Sequence, residues 1–173
     1  MQSFQQRVSF KASNGSIRFI SVNVQLTQII TAGSSKVVNI WKWNAGQNKV
    51  VKTTQTVMLS SAVDDIGGKT IIPGKMLLLA LTDFSLVLLS QSNTGTWNVS
   101  RSFEIGVPIT AFTVSRPDNQ FVVAATIDRK VITYDVLSGE KIDVFRVKFP
   151  IVSLDWDLEG KYQKGFKNVK KTH

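Results

Sequence analysis

Cysteine is absent from the 173-residue chain, and histidine occurs once, as the last residue, His173. Without cysteine there can be no disulfide framework, thiolate zinc site, thiol nucleophile or iron–sulfur cluster. Without an internal histidine there is no residue for a Ser-His-Asp relay or a histidine-ligated metal. Only carboxylates, lysines and tyrosines remain for catalysis. We therefore expect a protein that is not an enzyme and that needs no cofactor.

Long apolar runs are also missing. The most apolar stretch, residues 76–89, is interrupted by Asp83 and is too short to span a bilayer. The first residues lack the charged start, apolar run and small-residue cleavage site of a secretory signal. The sequence therefore predicts an intracellular protein without a membrane partner.

Acidic residues are scarce and unevenly placed. The chain holds 21 Lys and Arg against 12 Asp and Glu, a net charge of +9, and no acid follows Glu159. Residues 161–173 carry five lysines, so the first 160 residues have 16 basic and 12 acidic groups. The chain therefore divides into a mildly basic body and a strongly basic tail.

The periodicity of the body is that of β-strands. Apolar residues alternate, or run in short blocks bounded by Gly, Asn, Asp, Ser or Pro, and no segment has a sustained helical stripe. These blocks predict fourteen strands and an all-β protein. The predicted strands are residues 7–11, 17–22, 28–32, 37–43, 49–54, 56–61, 76–81, 85–90, 97–103, 109–114, 121–126, 131–136, 141–147 and 151–156.

The strands repeat in groups of four. Gly46, Gly95 and Gly139 each open the turn into the last strand of a group, at spacings of 49 and 44 residues. Pro108 and Pro150 precede two equivalent strands 42 residues apart. A four-stranded unit of about 40 to 45 residues is typical of a β-propeller blade.

Three tracts resemble repeats of the WD-repeat (WD40) family. Residues 109–145 contain a strand, then PDN, an apolar strand, a turn with Asp128, and Tyr134-Asp135 where the family has Trp-Asp. Residues 17–54 carry Trp41-Lys42 at that position, with Ser35 in the turn. Residues 58–103 match through ALTDFSLVLLSQ, which contains Asp83, and hold an insertion at residues 63–74. The resemblance implies WD40-like propeller blades.

The number of blades is too small for a closed ring. Three complete four-stranded blades, a leading strand at residues 7–11 and a trailing strand at residues 151–156 make an incomplete propeller. We therefore assign residues 1–160 to a propeller segment and residues 161–173 to a Lys-rich tail. Further blades or a partner chain are expected to complete the ring.

Two motifs invite a chemical interpretation. Gly67-Gly68-Lys69-Thr70 is similar to the end of a phosphate-binding loop, but the IIPG that follows cannot open the required helix. An inserted mobile loop accounts better for its glycines. Asp155 and Asp157 share one face of a predicted strand, whereas the adjacent Asp64 and Asp65 diverge. We expect these carboxylates to serve turns and strand edges.

Aromatic and basic residues are the candidates for contact with partners. We expect Trp41 and Trp156 to pack between blades and Trp97 to be exposed. Six basic residues of the predicted outer strands either form a basic rim for a partner or are charged only because these strands face water: Lys49, Lys52, Arg101, Lys141, Arg146 and Lys148. The residues predicted to contact RNA or an acidic partner are Arg101, Arg146, Lys148, Lys161, Lys164, Lys167, Lys170 and Lys171.

The resemblance also implies a function. Tracts over most of residues 16–146 resemble the C-terminal blades of a WD-repeat subunit of the U-three small nucleolar ribonucleoprotein, or small-subunit processome. This implies a scaffold in the nucleus and nucleolus that joins other protein subunits, contacts RNA through its basic tail, and serves ribosome biogenesis and rRNA processing. The alternative is a propeller subunit of another complex, such as a nuclear pore, coat, ciliary or mitochondrial complex, without RNA contact. That alternative includes a cytoplasmic location.

Overall fold

The described part of the chain consists almost wholly of strands. A computed structural model describes residues 10–25, 27–116 and 118–156. Within these residues there are twelve strands and one short 3-10 helix, Ala45–Gln47. The strands are β1 (Ile17–Val22), β2 (Gln28–Gly33), β3 (Val37–Asn44), β4 (Lys49–Met58), β5 (Val63–Ile72), β6 (Met76–Leu81), β7 (Ser85–Gln91), β8 (Trp97–Glu104), β9 (Ile109–Val114), β10 (Phe121–Thr126), β11 (Lys130–Asp135) and β12 (Lys141–Arg146).

The strands form three four-stranded antiparallel sheets. β1 to β4 make the first sheet, β5 to β8 the second and β9 to β12 the third, each in chain order. The sheets begin at Ile17, Val63 and Ile109, so each is 46 residues from the next. The prediction of three propeller blades is confirmed, and the blades do not close into a ring.

The predicted turn glycines lie where the repeat placed them. Gly95 and Gly139, with φ of 83° and 77°, stand between the third and fourth strands of their blades. This left-handed conformation is nearly free of cost only for glycine. Gly46 lies in the 3-10 turn of the first blade, where Asn48 takes the left-handed conformation instead, with φ of 48°.

The middle blade supports both of its neighbours through one strand, β6. Successive side chains on a strand point to opposite faces. Leu77 and Leu79 accordingly pack in the core between the first and second blades, and Leu78 and Ala80 pack between the second and third. All four are fully buried. This two-sided burial explains why β6 is an unbroken apolar run.

The predicted insertion at residues 63–74 is wrong. β5 covers Val63–Ile72 and is the first strand of the second blade, whereas the two strands predicted at residues 49–54 and 56–61 are one strand, β4. The sequence of β5 shows no regular alternation of apolar and polar residues, because its pairing with β6 shifts register between Val63 and Gly68. A side chain at Gly68 would collide with Leu79 and Phe19. The glycine therefore allows close packing against the first blade.

The end strands also differ from the prediction. Residues 151–156 are irregular, and their carbonyls accept bonds from side chains: Thr110 Oγ1 donates to Ile151 O at 2.7 Å and Lys69 Nζ to Leu154 O at 3.3 Å. These bonds replace a backbone ladder and hold the segment along the inner edges of β5 and β9. Of the strand predicted at residues 7–11, residues 10 and 11 are irregular and the others lie outside the described residues, as does the tail from residue 157 onward.

Candidate interaction surface

One end of the three blades is a continuous band of turns and connections, which we call the turn face. It comprises residues 34–36, 59–62, 82–84, 105–108, 127–129 and 147–149. The same backbone bond recurs in each blade: Leu59 N donates to Lys36 O, Ile105 N to Phe84 O, and Val147 N to Arg129 O, at 2.8, 3.2 and 2.9 Å. Each blade thus fixes its own part of the turn face.

Asp83 ties the first two blades together on the turn face. Its carboxylate accepts a bond from Ser60 Oγ at 2.8 Å, and bonds from Ser85 Oγ and Ser85 N at 2.6 and 3.2 Å. Partial burial raises the pKa of Asp83, but the bonds from Ser85 and Ser60 together lower it below its usual value. The turn aspartate predicted from the repeat is therefore a charged acceptor that holds the β4–β5 connection against the β6–β7 turn.

Asp128 occupies the same place in the third blade. It accepts bonds from Lys130 Nζ at 2.6 Å and from Thr126 Oγ1 at 2.5 Å. The bond from Lys130, followed by that from Thr126, lowers the pKa of Asp128, and the nearby positive charge of Arg146 adds to the effect. Asp128 is thus ionised and already paired at neutral pH.

The residue after each of these aspartates has an unusual backbone conformation. Phe84 and Arg129 have φ of 63° and 66°, in the left-handed region that favours glycine. Both side chains are exposed. Sequence reasoning missed these two residues, although the sequence contains a signal for them: a tight turn after a strand, with aspartate present and glycine absent.

The third blade's corner of the turn face carries exposed apolar and basic side chains. Ile127 and Phe149 are 62% and 66% exposed. Arg129, Arg146 and Lys148 are exposed beside them, and Lys148 Nζ lies 5.5 Å from the centre of the Phe149 ring. The structure therefore brings Arg146 and Lys148, two of the residues predicted for partner contact, to one corner.

Arg101 lies away from that corner. Its Nη2 donates to Leu137 O, in the turn between β11 and β12 at the opposite end of the blades, and its chain packs over Gly139. Arg101 is partly buried. Its role in the chain is to join the second blade to the third. The predicted contact of Arg101 with a partner stays a prediction, and the five tail lysines lie outside the described residues.

Two of the predicted rim lysines lie against aromatic rings. Lys52 Nζ is 5.7 Å from the ring centre of Trp41, and Lys141 Nζ is 5.8 Å from that of Tyr134. At such distances a cation is attracted to the face of the ring. The outer strands thus use part of their positive charge within the chain.

One tryptophan, Trp97, is more buried than the sequence indicates. Trp97, predicted to be exposed, is 3% exposed in the core between the first two blades, and its Nε1 donates to Gln28 Oε1 at 3.3 Å. That prediction is wrong because the start of β8 is covered by the first blade. Trp41 is buried as expected, with Nε1 donating to Thr31 Oγ1 at 2.9 Å. Trp156 is partly buried.

Tyr134, the counterpart of Trp41 in the third blade, joins two blades. Its hydroxyl donates to Glu104 O at 2.7 Å, and its ring centre lies 5.3 Å from that of Phe103. Burial, with a smaller effect from the charge of Glu104, raises the pKa of Tyr134. The hydroxyl therefore stays protonated at neutral pH and acts as a donor.

The Gly-Gly-Lys-Thr motif lies inside β5 and is not a loop. Burial lowers the pKa of Lys69, while Asp155 across a small depression opposes that change. Asp65 pairs with Arg18 at 2.8 Å, and Asp64 accepts a bond from Ile66 N at 3.2 Å. The carboxylates thus serve structural contacts, while Asp157 lies outside the described residues.

The described residues contain neither grouped metal ligands nor a membrane-crossing helix. In residues 10–25, 27–116 and 118–156, no three His, Cys, Asp or Glu side chains are grouped so that they could hold a metal ion. No helix in these same segments is long and apolar enough to cross a membrane.

Comparison with known proteins supports the fold. No protein-family model matches the chain, and no curated protein sequence does. Among solved structures, the WD40 beta propeller domain of Doa1 matches with a TM-score of 0.62 and 19% identity. The match covers 87% of this chain and 47% of that one, so the chain spans about half the length of that domain. The blades have the WD40-like propeller fold.

Proposed function

We propose that the protein is a non-catalytic scaffold that binds other proteins through its propeller blades. The observation that carries this proposal is the turn face, where backbone bonds repeated in three blades hold exposed apolar and basic side chains in fixed positions. Because fold alone does not specify function, the surface chemistry has to support the assignment. A contiguous exposed apolar patch with a polar rim is typical of a binding surface.

The assembly that we propose is a large ribonucleoprotein, the one that matures the small ribosomal subunit. Support comes from the resemblance of residues 16–146 to the C-terminal blades of a U-three ribonucleoprotein subunit and from the basic surplus of the chain. In this proposal the protein resides in the nucleolus, and the tail at residues 161–173 contacts RNA.

A propeller subunit of a complex without RNA is the second candidate. The position of Arg101 favours it, because this residue bonds to Leu137 within the chain and is partly buried. The exposed Ile127 and Phe149 also suit a protein partner better than a phosphate backbone. This candidate differs from the first in predicting no RNA in the purified complex.

Purification of the native complex separates the two candidates. We expect U-three RNA to copurify with the tagged protein, and small-subunit rRNA precursors to accumulate when the protein is depleted. Normal maturation of those precursors would exclude the ribosomal assignment. Deleting residues 161–173 should leave the melting temperature unchanged but reduce the salt dependence of RNA binding, by about 0.7 to 0.9 in logarithmic slope per lost phosphate contact.

A further inference from the structure

The third blade's corner of the turn face has the chemistry of a specific docking site. We propose that Ile127, Arg129, Arg146, Lys148 and Phe149 bind a segment of a partner protein in which acidic residues alternate with large apolar ones. The proposal rests on the scaffold function and names the surface and the chemistry of one partner. We call these five residues the docking corner.

The charge of the docking corner calls for an acidic partner. The acid in the adjoining turn, Asp128, already forms an ion pair with Lys130, whose Nζ lies 2.6 Å from Oδ2 of Asp128. Arg129, Arg146 and Lys148 make no ion pair with any described residue. Three exposed cations thus remain for a ligand. Complementary charge of this kind raises the rate of association and selects the partner.

The apolar side chains favour a protein over RNA. Ile127 is 62% exposed and has no π face on which a base could stack. Phe149 is 66% exposed, but Lys148 already lies near its ring. An apolar residue of a partner can cover Ile127 and the open side of Phe149 and so remove their surface from water. An RNA strand would leave Ile127 uncovered.

The backbone of Arg129 indicates that its side chain is there for a purpose other than stability. A φ of 66° is strained for a residue with a Cβ, and glycine would adopt it without strain. The conformation is held by the bond from Val147 N to Arg129 O at 2.9 Å. This arrangement presents a guanidinium at the outer surface of a turn where glycine would be the more stable choice.

The proposal can be tested with the full 173-residue chain and a short fluorescein-labelled peptide of aspartates alternating with leucines and phenylalanines. Binding is followed by fluorescence anisotropy. The triple variant Arg129→Gly, Arg146→Ser, Lys148→Ser should weaken binding by about tenfold or more, since each exposed charge contributes a factor of a few. The matched control, Lys42→Ser, Lys75→Ser, Arg116→Ser, removes the same charge from exposed positions at the opposite end of the blades and should bind like the wild type.

Two further measurements separate docking from folding. Arg129→Gly alone should bind the peptide less tightly while melting at the same or a higher temperature, a combination that a structural role for Arg129 would not give. Replacing every apolar residue of the peptide with serine should reduce its affinity for the wild type but change little for the double variant Ile127→Ser, Phe149→Ser.

Several results would overturn the proposal. Equal binding by the docking-corner triple variant and the wild type would do so, and so would equal losses in the two triple variants. Loss of oligouridylate binding in the docking-corner variant, with no peptide binding by the wild type, would assign the corner to RNA. None of these results would affect copurification with U-three RNA, so failure of the docking corner is distinguishable from failure of the proposed function.

Discussion

Two adjacent leucines in the middle blade should stabilise opposite ends of the protein. Leu79 packs toward the first blade and Leu78 toward the third, and both are fully buried. Replacing either with alanine removes three carbon atoms, a loss of about 2.4 kcal/mol at about 0.8 kcal/mol each. With the cavity left behind, we expect a destabilisation of about 3 to 4 kcal/mol for each variant.

The two variants should differ in where that loss appears. Because each blade contacts only its neighbours, opening at one interface need not open the other. In Leu79→Ala, amides of β1 to β4 should exchange hydrogen faster while those of β9 to β12 stay protected. In Leu78→Ala the pattern should reverse. Hydrogen exchange followed by mass spectrometry measures both, with wild type as reference. Equal loss of protection at both ends in both variants would refute the division of the core into two separate clusters.

Three smaller predictions follow from single contacts. Phe84→Gly should unfold with a free energy about 1 kcal/mol higher than Phe84→Ala in urea titrations, because both lose the ring but only glycine adopts a φ of 63° without strain; a less stable glycine variant would contradict this. Trp41→Phe should cost about 2 kcal/mol in the same titrations, because it loses both the bond to Thr31 Oγ1 and part of a buried ring, and adding Thr31→Val should cost little more. The bond from Ser115 lowers the pKa of Asp118 from 3.8, so Asp118 stabilises the fold above that pH and this contribution is lost as pH falls through its folded pKa. The melting temperatures of wild type and Asp118→Asn should therefore differ at pH 6 and converge as the pH falls through the folded pKa of Asp118; a constant gap would contradict the titration of Asp118.

The sequence is informative where local and global requirements agree. Gly95 and Gly139 mark turns because the backbone there has positive φ, which the composition of the turn reveals. The alternating or continuous apolar pattern of β6, β7, β10 and β11 marks strands because these lie in the middle of their sheets. Three blades could therefore be predicted from spacing alone.

The sequence misleads where a distant part of the chain decides the outcome. The pattern at Gly67 and Gly68 predicts a loop. In the structure these glycines lie within β5 and allow it to pass close to Arg18 and Phe19 of the first blade. Trp97 reads as the exposed start of an outer strand, yet Gln28, 69 residues away, covers and bonds it. Arg101 reads as a surface charge, and its partner is the carbonyl of Leu137. None of these contacts has a signature within its own strand.

At the docking corner, too, the residue in the chain differs from the one that local backbone conformation favours. Between the blades, the buried apolar side chains pack in two clusters, so packing accounts for their identity. On the turn face packing accounts for less, because Ile127, Arg129 and Phe149 are exposed. Local stability at residue 129 favours glycine, whereas the chain has arginine there at a φ of 66°. A ligand that contacts Arg129, Ile127 and Phe149 together accounts for a strained, charged residue beside two exposed apolar ones. Arg129→Gly removes the strain and should therefore reduce the affinity for that ligand while preserving the fold.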